Sequence, residues 1–232
     1  MTGRRPTARG EEFTVPDSEY ADDTALPFCS RADLDAQTPR VCAHFKRWGM
    51  EVHEGVLDEA GKVAKESKSE VLFCSAPLHM YADAGTFDGA DLSQVLLPNR
   101  RCMRIVTEFP YLGDIVARDG GDGTAVDRRI SAASKAFGAL RKCIFASSSV
   151  NAGAKRAVYE SIVLSILLYG CESWCLTETH RSRLRTFHAQ SLRAMCRVTR
   201  KHTWQHHIST QELGQRLRLE LIDTYIDRHQ LR

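Results

Sequence analysis

Long apolar runs are missing from this sequence. Nowhere do eighteen consecutive residues have the composition to cross a bilayer, and no apolar core of a secretory signal follows Met1-Thr2-Gly3-Arg4-Arg5. A cytosolic or nuclear protein is therefore the expectation. The eight cysteines, at 29, 42, 74, 102, 143, 171, 175 and 196, are scattered and have no secretory context, which argues for reduced thiols over a disulfide framework. The two-residue knuckle spacing of a zinc ribbon is absent too. Cys171-x3-Cys175, Cys196 and His202 or His206 combine into a metal site only on paper.

The last shortage is of acid. Residues 124–232 hold 8 Asp+Glu against 18 Lys+Arg, a net +10, whereas residues 1–123 hold 21 against 14, a net −7. The overall +3 conceals this split. An acidic half followed by a basic half suits a cation-binding segment followed by a phosphate-binding one. It suits an arginine-rich solvated bundle equally well. What remains is ordinary: 232 residues, 43% hydrophobic and 26% charged, enough for one or two domains with a sizeable core.

Local patterns divide the chain further. Residues 1–18, with Gly3, Pro6, Gly10 and Pro16 among charged residues, are expected to be disordered. Leu34, Val41, Phe45 and Trp48 recur at near-helical spacing from Asp33 to about Met50, which predicts an amphipathic helix that Gly49 and Gly55 close. Glu70-Val71-Leu72-Phe73-Cys74 reads as a short buried strand, and residues 79–99 read as a surface loop. Arg104–Thr107 and Tyr111–Val116 predict a hairpin with Pro110 in its connection. Asp119-Gly120-Gly121-Asp122-Gly123 marks a domain boundary, giving segments 1–18, 19–123 and 124–232.

Beyond that boundary every pattern is helical. Thr124 and Asp127 suggest a capping box ahead of Ile130, Ala133, Phe137, Leu140 and Ile144. Asn151 is placed to cap a central apolar helix that Gly170 ends. A third helix runs from about Glu178 to Met195. Ser209-x-x-Glu212 caps a fourth, expected to bend at Gly214 and continue through Leu217, Leu221 and Ile226.

Tyr20-Ala21-Asp22-Asp23 carries the chemistry. Read as a hairpin tip, it offers carboxylates to a divalent cation, the first requirement for metal-assisted phosphoryl transfer. Alone it is also a common kind of solvated turn. Lys68-Ser69-Glu70-Val71-Leu72, Phe109-Pro110-Tyr111-Leu112-Gly113 and Leu168-Tyr169-Gly170-Cys171-Glu172-Ser173-Trp174 follow it in order. This series, over about residues 20–232, resembles the carboxyl-terminal half of the reverse transcriptase of non-LTR (LINE-type) retrotransposons.

That resemblance implies an α+β fold: a partial palm of antiparallel strands with a helix, then an all-α thumb bundle. It implies that Asp22 is the primary and Asp23 the secondary ligand of Mg2+, and that Lys68 stands by the leaving pyrophosphate. It further implies that Phe109, Tyr111, Leu112 and Gly113 form the primer grip, with an RNA template and a DNA primer as partners. Arg128, Arg129, Lys135, Arg141, Lys142, Lys155 and Arg156 are the candidates for a groove holding that duplex. The family's other metal-binding aspartate and its fingers lie upstream of the Tyr-Ala-Asp-Asp box. The acids that precede the box here, Glu11, Glu12, Asp17 and Glu19, lie in a segment unlike the family's apolar strand. A truncated RNA-directed DNA polymerase that binds nucleic acid and does not polymerise alone is the expectation. Two alternatives stay open: a basic helical nucleic-acid-binding module without catalysis, and a structural interaction bundle, zinc-stabilised or not.

Overall fold

Ser30 starts the first helix by local chemistry alone, its hydroxyl accepting the Asp33 N–H at 3.1 Å. The computed structural model describes residues 2–4, 12–14, 18–20, 23–28, 30–73 and 94–231. Helix and strand are mixed, and the chain divides into two compact units. One comprises residues 1–113 and 117–120, the other residues 114–116 and 121–232. The chain passes between them at 113/114, at 116/117 and at 120/121, the last of these inside the run Asp119–Gly123.

In the first unit β1 (Thr2–Arg4) pairs antiparallel with β2 (Glu12–Thr14). The segment expected to be disordered therefore contains a strand pair. β3 (Ser18–Tyr20) and β4 (Asp23–Ala25) form a second antiparallel pair, with Tyr20 opposite Asp23. Strands thus pair on either side of Tyr20-Ala21-Asp22-Asp23 as expected, and Ala21 and Asp22 lie outside the described residues. Next comes α1 (Arg31–Arg47), which contains Pro39; the Thr38 hydroxyl donates to the Leu34 carbonyl at 2.6 Å.

The remaining strands are β5 (Gly55–Leu57), β6 (Val63–Lys65), β7 (Glu70–Leu72), β8 (Gln94–Leu97), β9 (Arg101–Val106), β10 (Glu108–Tyr111) and β11 (Asp114–Ala117). β9 is the hub of a five-stranded sheet. Cys102 lies opposite both Leu96 of β8 and Gly55 of β5, and Arg104 opposite both Gln94 of β8 and Glu70 of β7. β8 therefore covers one edge of β9, while β5 and β7 share the other. Because β7 runs parallel to β9, the sheet is mixed and not the antiparallel one expected. Val95, Leu97 and Met103 make its small buried core, against which Leu34 and Cys42 of α1 pack.

Two local expectations are corrected here. Gln94–Leu97, assigned to a surface loop, is strand β8, with Val95 and Leu97 inward and Leu96 61% exposed; the alternation of period two was hidden inside a run of three apolar residues. The hairpin around Pro110 has a different register. Arg101–Val106 belongs to the five-stranded sheet, and β11 pairs with β10. The turn is Leu112-Gly113, with φ +49° and +81°, the two positive values that a type I′ connection requires. Pro110 sits inside β10, which tolerates it because the pair has only two strands.

The second unit is helical apart from its share of β11. α2 (Gly123–Leu140) runs into a π-helical turn at Arg141–Phe145. α3 (Ala152–Val158) runs through another, Tyr159–Leu164, into α4 (Ser165–Leu167). A 3-10 turn, Cys171–Ser173, precedes α5 (Glu178–Met195), α6 (Arg200–Gln205), α7 (Thr210–Leu217) and α8 (Ile222–Gln230). Asn151 and Ser209 cap as expected, accepting the Ala154 and Glu212 N–H groups at 2.8 and 3.1 Å. The Thr124 capping box is not formed. Asp122 occupies the N-cap position and its carboxylate instead accepts the Cys175 N–H at 2.6 Å. Nor does the fourth helix bend at Gly214: it ends at Leu217, and Arg218 reverses the chain with φ +57°.

Burial explains why this unit holds together. Phe137 and Phe145 stack at 4.4 Å between ring centroids, and Tyr159 meets both edge-on at 6.2 Å. Each such aromatic pair contributes about 0.5–1.5 kcal/mol beyond area burial. Leu167, Trp174, Leu184, Leu192, Met195, Leu213 and Ile226 complete the core. The Tyr159 hydroxyl lies 3.0 Å from His188 Nδ1, and His188 Nε2 lies 3.0 Å from the Glu220 carbonyl. That carbonyl needs a donor, so Nε2 carries the hydrogen and Nδ1 accepts from the tyrosine. Burial holds the His188 pKa down at about 4, which keeps the ring neutral.

Candidate nucleic-acid interface

β7 and β10 approach one another at the edge of the sheet, and a cleft of about 570 Å³ opens there in the first unit. His53, Glu66, Ser67, Lys68, Glu70, Arg104, Phe109 and Pro110 line it. Lys68 and Phe109, expected to act at the leaving group and the primer, thus face one space. The backbone around Lys68 is fixed: its N–H donates to His53 Nδ1 at 3.1 Å, and the buried Ser67 hydroxyl lies 3.0 Å from the His53 carbonyl. The Lys68 side chain is exposed. Arg104 pairs with Glu70 and lies 3.9 Å from Glu66, so its charge is locally balanced. Among the described residues Lys68 forms no ion pair.

The other expected grip residues share the hairpin. Phe109 and Tyr111, two apart on a strand and so on one face, stack at 6.1 Å with rings inclined by 24°. Leu112 is 40% exposed at the turn, and Gly113 completes it. This is a platform of two aromatic rings beside a tight turn, a shape suited to sugar and base contact.

Asp22 lies outside the described residues. Asp23 belongs to β4, and only its backbone is described. Thr24 and Leu26, just beyond, line a second pocket of about 360 Å³ with Arg40, Val41, His44 and Phe45 of α1. No trio of carboxylates among the described residues gathers closely enough to hold a cation. The zinc combination drawn on paper is not assembled either. The described group with ligand atoms in metal-binding proximity is Cys171, Glu172 and His229.

The basic candidates of the second unit separate by environment. Arg128, Lys135, Arg141 and Lys142 are exposed on α2 and the turn that prolongs it, and among the described residues none of them forms an ion pair. Arg128, Lys135 and Lys142 are seven residues apart, which makes a single stripe about 21 Å long at 1.5 Å per residue. Such a stripe spans about six phosphates at 3.4 Å of duplex axis per strand phosphate.

Three other candidates have partners within the unit. Lys155 is buried, and its Nζ donates to the Met195 carbonyl at 3.2 Å, so it braces α3 against the end of α5. Arg129 lies over the Tyr169 ring at 4.2 Å and 3.9 Å from Asp114. Arg156 pairs with Glu160 at 3.0 Å. Position on a helix decided these outcomes, and charge composition carries no such information.

Another exposed group lies further along the second unit. α6 exposes Arg200, Lys201, His202 and Trp204, with His206 and His207 just after it, and Trp204 is 77% exposed. The His202 and His206 rings lie 4.3 Å apart. Single-strand binders combine exposed aromatic rings with cations, and the run Arg200–His207 has that composition.

Tyr169-Gly170-x-x-x-Trp174 is structural. Gly170 has φ +77°, and a Cβ there would fall 2.6 Å from the Asp114 carboxylate, which accepts from Trp174 Nε1 at 3.4 Å. No family model matches the chain, and no curated protein or solved structure does either.

Proposed function

We propose that this chain is a palm-and-thumb fragment of a non-LTR retrotransposon reverse transcriptase, and that it binds a template–primer duplex. The observation that carries the proposal is the convergence of Lys68 and Phe109 on one cleft, beside a two-ring hairpin platform. Two segments that the family resemblance marks separately lie next to each other. In this reading the cleft meets the primer, with Lys68 pairing to a phosphate and Phe109 and Tyr111 stacking on sugar or base. The stripe Arg128, Lys135 and Lys142 neutralises the duplex backbone. Asp22 and Asp23 would hold Mg2+, which supplies charge neutralisation at the reacting phosphate when bound. Polymerisation requires carboxylates from more than one segment, and among the described residues no three carboxylates gather to hold a cation, so in this reading the chain binds the duplex without extending it.

The test is equilibrium binding of a fluorescently labelled RNA–DNA hybrid with a recessed primer end, measured by anisotropy. Lys68→Gln combined with Phe109→Ala should weaken binding about tenfold or more, the loss expected from one phosphate pairing and one stacked ring. Unchanged affinity in that double variant removes the cleft from the proposal.

The exposed basic and aromatic groups of the second unit favour a second reading, a helical nucleic-acid-binding module without a polymerase past. It differs in one respect: replacing Lys68 and Phe109 changes nothing, whereas replacing the stripe abolishes binding.

A further inference from the structure

Gly170 turns the chain off α4, and the 3-10 turn Cys171–Ser173 follows at once. Cys171 is fully buried, while Glu172 points outward beside it. The last turn of α8 lies over this turn. There Gln230 Nε2 donates to the Cys171 carbonyl at 3.0 Å and to the Trp174 carbonyl at 2.9 Å. This clamp sets the residue before it, His229, against the thiol. The Cys171 Sγ, a Glu172 carboxylate oxygen and a His229 ring nitrogen all lie within 4.8 Å of one another.

We propose that Cys171, Glu172 and His229 form a zinc site that fastens the end of α8 to the turn after α4. The donor set selects the ion. A thiolate and an imidazole suit zinc and are poor ligands for magnesium or calcium, which take oxygen. Tetrahedral zinc, with bonds of about 2.0–2.3 Å, sets its ligand atoms roughly 3.5 Å apart. The 4.8 Å bound exceeds that by about 1.3 Å, and two members of the trio, Glu172 and His229, are exposed side chains able to close the gap. Water would complete the tetrahedron.

Binding exchanges a proton for a metal: the Cys171 S–H bond breaks, its proton goes to solvent, the Zn–S bond forms, and nothing is oxidised.

Titration of the full chain with Co2+ tests the site. The expected result is thiolate-to-Co2+ charge-transfer absorption saturating at one equivalent, displaced by Zn2+, together with a melting temperature that Zn2+ raises and a chelator returns. Cys175→Ser, which changes an exposed thiol outside the trio, should leave the band intact. Cys171→Ser should abolish it. Because Cys171 is buried and its variant could misfold, His229→Ala carries the decision: an exposed change that should weaken Co2+ at least about tenfold by removing one of three ligands. No band in the unaltered chain, a band lost on Cys175→Ser, or undiminished affinity in His229→Ala overturns the proposal.

Discussion

The Tyr159 hydroxyl donates to His188 Nδ1 across 3.0 Å in the interior of the helical unit, joining α5 to the π-helical turn between α3 and α4. The bond requires a neutral imidazole, since both ring nitrogens of a charged one would be donors. With the His188 pKa lowered from the ordinary 6.5 to about 4, the unfolded chain binds the proton more readily than the folded one between those values. Stability is therefore full above about pH 6.5 and declines as pH falls toward 4, by about 2–3 kcal/mol. Denaturant unfolding at pH 7 and pH 4.5 measures this, and His188→Gln should flatten the slope. Asp223 acts in a separate window: bonds from Arg185 and Arg181 lower its pKa, so its contribution is lost only below about pH 4, as acid passes through the folded value.

Gly170→Ala should destabilise the second unit by about 1–3 kcal/mol, because the backbone conformation there is costly for any residue with a Cβ. The added carbon would also meet the Asp114 carboxylate and press on its bond to Trp174. A lowered denaturation midpoint with unchanged denaturant dependence is the expected result.

Lys155→Met should leave nucleic-acid affinity unchanged, because this lysine is buried against the Met195 carbonyl. Trp204→Ala should do the reverse. Its ring is 77% exposed, so stability holds, while single-stranded nucleic acid loses about 1–3 kcal/mol of binding for one stacked base. Anisotropy with a short single strand and thermal melting of both variants check the pair.

Primer extension on a primed RNA template with Mg2+ should yield no product from the 232-residue chain. The Asp22→Ala, Asp23→Ala double variant should bind that template–primer as well as the unaltered chain, because phosphate neutralisation by the stripe does not use the metal box. Extension by the isolated chain contradicts this division of labour.

Much of the second unit was legible in sequence because its signals are local. Asn151 and Ser209 cap within three residues, Gly170 takes the left-handed conformation that ends a helix, and apolar spacing marks α2, α4 and α5. The first unit was harder to read, since its strands are short and find partners far away. β8 and β5 become strands by pairing with β9, and neither stands out alone. Site residues followed the same rule. The hairpin residues Phe109 to Gly113 were recognisable as a group, whereas the burial of Lys155 and the meeting of Cys171 with His229 arise only from packing between distant helices.

The salt dependence of RNA–DNA hybrid binding measures how many phosphates the chain neutralises. The unaltered chain should show affinity that falls linearly on a log–log plot against salt, and Arg128→Gln, Lys135→Gln, Lys142→Gln together should reduce the slope by about 3, one unit for each phosphate no longer neutralised. An unchanged slope in the triple variant, or no salt-dependent binding by the unaltered chain, contradicts the account.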